Sequence, residues 1–196
     1  MSTRLPSVAQ ALARTPEDIY NLPVLKEEKG LELLRILAPT VLNQHADESR
    51  ELVRDLECLP LALQVAGHLL NAEAAMDWGV TELLLELREG ARVLKEKAPA
   101  DRMDLQTQTI PTVAVLFQKS TDRLDEHTRD CFAYLGAFAP KPATFDLTAM
   151  KAVWQIPDPK PIVRVLVERG LLEPVGSGRF QMHALLVLHA RSLLAE

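Results

Sequence analysis

The residues able to do chemistry are few and scattered. The chain holds five histidines and two cysteines. His183 and His189 stand six positions apart, a spacing that does not put two imidazoles on one helical face as a metal pair requires. His45, His68 and His127 are isolated. Cys58 and Cys131 lie far apart with no Cys-x-x-Cys spacing, so neither a metal framework nor a disulfide scaffold follows. They read as small buried apolar residues of a chain kept in a reducing compartment. The eight glycines form neither GxxxxGK[ST] nor GxGxxG, so no backbone loop is present to cradle phosphate. GxSxG and HExxH are also missing, and no strand ends in paired acids for magnesium. The residues therefore predict no catalytic constellation, no metal held by this chain, and no strong grip on a nucleoside triphosphate by this chain alone.

The elements that would position these side chains are mostly helices. At 196 residues and 47% apolar composition, the chain can form one large or two small domains with a real core. Aromatics make up only 5%, so Leu, Val and Ala must fill most of it. Leu33, Leu34, Leu37 and Val41 mark one helical face, Leu52, Val53 and Leu56 a second. Leu61, Ala62, Val65 and Leu69 mark a third, and Leu84, Leu87, Ala91 and Leu94 a fourth. Residues 24–100 thus predict a four-helix bundle, each helix hiding one stripe. Thr15-Pro16-Glu17-Asp18 carries helix-start residues ahead of it. Ala98-Pro99-Ala100-Asp101 and Gln106 to Thr109 read as a linker.

Residues 101–196 form a second unit. Helices are predicted over Val113–Leu124, from Asp125-Glu126 through Phe132 and Leu135, over Phe145–Ile156, and from Asp158-Pro159 to a stop at Gly170. The period then changes. Leu171–Val175 and Arg179–His183 flank Gly176-Ser177-Gly178 and predict a β-hairpin, with a last helix from Ala184. Helices followed by a two-stranded wing predict a winged-helix domain, and the fold class is mainly α.

Three runs, in order, resemble the NB-ARC family of signal-transduction ATPases. They are Thr3-Arg4, Leu59-Pro60-Leu61-Ala62-Leu63, and Arg179-Phe180-Gln181-Met182-His183. The second is similar to that family's GLPLAL signature and the third to its Met-His-Asp signature. The resemblance implies that 1–23 is a remnant of a nucleotide-binding domain, 24–100 the ARC helical bundle and 101–196 the winged-helix subdomain. It implies that Arg4 senses a terminal phosphate, that Pro60, with Leu61 beside it, packs on adenine, and that His183 reaches the β-phosphate of ADP. ADP or ATP would be held only in a complete nucleotide-binding domain, so an upstream P-loop domain or a longer parent chain is the implied partner. Protein partners would dock through the winged helix.

The chain departs from the family pattern in two places. Glu57 and Cys58 replace two glycines before Leu59, and their Cβ atoms restrict close backbone approach. Ala184 replaces the Asp of Met-His-Asp. Alanine cannot cap a helix, so a loss of about 1 kcal/mol of local order is expected there.

The alternative function is a DNA-binding winged-helix regulator, with Pro161–Gly170 as recognition helix and Arg164, Arg169, Arg179 and Arg191 near phosphates. A net charge of −5 argues against broad nucleic-acid binding, and Val163, Val165, Leu166 and Val167 leave that helix little polar surface to read bases. The start Met1–Pro6 lacks the apolar core of a signal peptide, and the apolar run Leu59–Leu70 is interrupted by Gln64 and His68. A cytoplasmic chain with no membrane contact is expected.

Overall fold

A computed structural model describes residues 10–20, 23–76, 79–97 and 111–194. The expected phosphate sensor Arg4, the linker 98–109 and the side chain of Leu94 lie outside the described residues. The fold is mainly helical with a small three-stranded antiparallel sheet, as the sequence predicts for a bundle followed by a winged-helix unit.

The bundle comprises α1 (Glu27–Leu37), α2 (Pro39–Gln44), α3 (Ala46–Asp55), α4 (Pro60–Ala75) and α5 (Val80–Lys97). The first predicted helix is divided in two. Proline disfavours helical geometry in the residue before it, and Ala38 accordingly leaves the helix at φ −139°, ψ 64°. Pro39 then opens α2 at its first turn, where its missing N–H costs nothing. Leu34 and Val41 still share the core, so the stripe survives the break. Ahead of the bundle, Thr15 does not cap a helix. Residues Pro16–Asp18 form one 3-10 turn, and the Thr15 amide donates to Asp18 Oδ2 at 3.0 Å.

α4 is the central helix. Ala62, Leu63, Val65, Ala66, Leu69 and Leu70 are all fully buried, and α1, α2, α5 and α6 (Pro111–Asp122) pack around it. Gly67 allows the approach of α1, since a Cβ there would stand 2.7 Å from Leu37 Cβ. α6, which the sequence places at the start of the second unit, packs against α4 and α5 and also against the last helix.

The chain continues with α7 (Glu126–Tyr134), capped by Asp125, whose Oδ1 accepts from the Thr128 amide at 2.9 Å. Residues 145–156 differ from the single helix predicted. Phe145–Asp146 is a strand, β1, and α8 runs only over Leu147–Trp154. Phe145 pairs with Phe180 across the sheet and stacks on Phe138 at 4.3 Å, while Asp146 caps α8 through the Ala149 amide. Backbone pairing and a cap thus fix a boundary that apolar spacing alone does not mark.

α9 (Lys160–Glu168) ends at Gly170, which adopts φ +68°. β2 (Glu173–Gly176) and β3 (Arg179–Gln181) form the predicted hairpin, and β3 is the middle strand of the order β1-β3-β2. The sheet therefore has three strands rather than the two predicted. α10 (Ala184–Leu193) closes the described chain and packs on α7 and on residues 135–137.

Candidate functional site

The Leu59-Pro60 run sits at a strained turn. α3 ends at Asp55, and the chain reverses through Leu56, Glu57 and Cys58, with the Cys58 amide donating to the Val53 carbonyl at 3.0 Å. Glu57 and Cys58 both adopt φ +54°, in the left-handed region that favours glycine. The two positions where the NB-ARC pattern has glycine thus keep a glycine conformation without the glycines, and each side chain is strained there by about 1 kcal/mol. Glu57→Gly is expected to be more stable than Glu57→Ala, which also drops the side-chain contacts but keeps the Cβ, by about 0.5–1 kcal/mol, read as a melting temperature a few degrees higher. Equal or lower stability of the glycine variant relative to the alanine variant would show that the Cβ is not strained at this turn.

The turn is also anchored to the chain preceding the bundle. The Leu25 amide donates to the Cys58 carbonyl at 3.2 Å. Arg54 makes a two-pronged bond to Glu27, Nε to Oε2 at 2.8 Å and Nη2 to Oε1 at 2.9 Å, which holds that carboxyl below its ordinary range. Burial, with Glu27 adding to it, pushes the Cys58 thiol up, so Cys58 is not an activated nucleophile. Pro60 opens α4 at its first turn and is exposed, Leu61 is half-buried against the core, and Ala62 and Leu63 are fully buried. The Leu-Pro-Leu-Ala-Leu run therefore places its proline ring on the surface and its later side chains inside.

His183 stands at the other end of the fold in sequence, as the N-cap of α10. Its Nδ1 accepts from the Leu185 amide at 3.2 Å. With Nδ1 accepting, the neutral ring carries its proton on Nε2 and is a donor there. The loss expected from Ala184 is therefore corrected: Ala184 is the first residue inside the helix, and His183 itself satisfies one of the unpaired amides. Met182, the residue before His183, is fully buried, and its carbonyl accepts from the Lys141 amide at 2.8 Å.

Pro60 and His183 each open a different helix, α4 and α10, and α6 packs against both helices. A surface concavity lined by Asp122, Leu124, Arg129, Asp130 and Leu193 involves neither residue. No three His, Cys, Asp or Glu residues converge to hold a metal among the described residues. No described helix is long and apolar enough to cross a membrane.

Of the basic side chains singled out for phosphate contact, two are exposed yet hydrogen-bonded to residues distant in sequence. Arg179 donates from Nε to Thr144 Oγ1 and from Nη2 to the Thr144 carbonyl, both at 2.6 Å. Arg191 Nε donates to the Gly136 carbonyl at 2.7 Å. Arg169 is half-buried against the bundle. Arg164 remains exposed on α9. Three of the four, Arg164, Arg179 and Arg191, are thus exposed, the last two with part of the guanidinium engaged within the fold.

Sequence spacing misses a further group, where α9 meets the bundle. A Cβ at Gly170 would stand 2.7 Å from His68 Cδ2. The His68 ring hydrogen-bonds the Glu168 carbonyl, and burial pulls its pKa down. Beside it, Arg123 Nε lies 3.5 Å from Glu73 Oε1, and its Nη2 lies 3.2 Å from Glu86 Oε2, which Lys119 also meets at 3.0 Å. Nothing local marks these residues, because they come from α4, α5, the α6–α7 turn and the end of α9.

No family model matches the chain. It is similar to a probable disease resistance protein of Arabidopsis thaliana, 29% identical over 151 residues and 75% of this chain. It is similar to the disease resistance protein ADR1 of the same plant, 27% identical over 154 residues and 75% of the chain. It is also similar to the regulatory protein AfsR of Streptomyces coelicolor, 27% identical over 177 residues and 89% of the chain. The matches span only 17%, 17% and 16% of those proteins respectively. Over three-quarters or more of its length, then, this chain is a distant relative of one short stretch shared by plant disease resistance proteins and a bacterial regulatory protein.

Proposed function

We propose that this chain is the regulatory part of an ADP/ATP-dependent signal-transduction switch of the NB-ARC type, comprising its ARC bundle and winged-helix subdomain. Relatives named for disease resistance and for regulation support a signalling role. The observation that carries the nucleotide reading is His183. It caps α10 through Nδ1 and so stands at a helix N-terminus, where anions are favoured. Pro60 supplies an exposed apolar ring for a base at the start of α4. Arg4 would supply a second phosphate contact. Contacts to base and phosphate from two different units couple ligand identity to their relative orientation, which is what a switch requires. Hydrolysis needs a phosphate loop that this chain does not contain, and the expected partner is a P-loop domain upstream. The winged-helix unit is then a protein-facing lock.

The test is ADP calorimetry on this chain and on a longer polypeptide carrying an upstream P-loop domain. The chain alone is expected to bind weakly or not at all, and the longer polypeptide tightly. In the latter, His183→Ala is expected to weaken ADP about tenfold, the size of one hydrogen bond to a charged group. His183→Asn keeps a capping side chain, so equal weakening in both variants separates phosphate contact from helix capping. Tight ADP binding by the short chain would sink the requirement for the upstream loop.

A further inference from the structure

We draw no further inference here: the strongest candidate, the surface concavity between the end of α6, the start of α7 and the end of α10, rimmed by Asp122, Glu126 and Asp130, rests on a cluster of acidic side chains alone, and nothing in the structure shows what covers it.

Discussion

Gly170→Ala is expected to destabilise the chain by about 3 kcal/mol, lowering the melting temperature by roughly 6–12 °C for a protein of this size. Two effects add. Gly170 adopts φ +68°, where an L side chain costs about 1–2 kcal/mol. The new Cβ would also stand 2.7 Å from His68 Cδ2 and 3.1 Å from Cγ, an overlap worth about 1–3 kcal/mol of overpacking. Neither can be relieved cheaply, because the Gly170 and Leu171 amides are tied to the Val167 and Leu166 carbonyls, and the imidazole is a rigid ring. A double-mutant cycle separates the two contributions. In a His68→Ala background, Gly170→Ala should cost only the backbone share, about 1–2 kcal/mol. Equal costs in the two backgrounds would mean that His68 does not form the wall against which Gly170 packs.

Stability is also expected to fall by about 3 kcal/mol as pH drops from roughly 6.5 to 4, owing to His189 alone. Its ring lies between Phe117, at 5.6 Å, and Phe132, at 6.0 Å, with Nε2 3.1 Å from Thr121 Oγ1. The Thr121 hydroxyl has the Phe117 and Gln118 carbonyls as acceptors, each at 3.0 Å, so the ring N–H is the donor to Thr121. Burial drives the imidazole down to about 4; Asp122 resists that shift and Arg129 adds to it. The unfolded chain therefore binds a proton in this window that the folded chain excludes. The stabilisation from the neutral ring is complete above pH 6.5 and is lost as pH falls toward 4. The carboxylates of Glu86 and Asp125, held low by their own partners, lose stability in the same direction under acid. The informative quantity is therefore the difference between unaltered chain and His189→Phe, followed by denaturant unfolding at several pH values. That difference should shrink by about 3 kcal/mol between pH 6.5 and 4 as the unaltered chain loses its advantage. Parallel curves would sink the assignment.

Much of the architecture was legible in the chain itself. The stripes through Leu34, Leu52, Ala62 and Leu84 are local patterns, and each became a buried helical face. The residues Gly176-Ser177-Gly178 mark a hairpin, and all three adopt positive φ. Pro39, Pro60 and Gly170 punctuate helices for reasons intrinsic to proline and glycine. These features depend on residues within a few positions of one another. The resemblance added Arg4, Pro60, Leu61 and His183 as site candidates, and of these His183 has a structural role that spacing did not predict. Pro60 is the exposed start of the most buried helix, and His183 is a cap.

What the tertiary structure alone decided lies between residues far apart in sequence. Phe145 becomes a strand because Phe180 offers it a partner, although the local pattern is helical. Ala184 costs no cap because the residue before it turns its own ring nitrogen onto the Leu185 amide. Arg179 and Arg191, which read as surface cations, are held by carbonyls or hydroxyls 35 and 55 positions away. His68 meets Gly170, and Arg123 meets Glu73, only after the helices that carry them have packed. Periodicity states which face of a helix is apolar, but not which other face it meets. Backbone pairing, side-chain charge and close approach are settled when buried polar groups must find partners, and that requirement arises only once the elements are together.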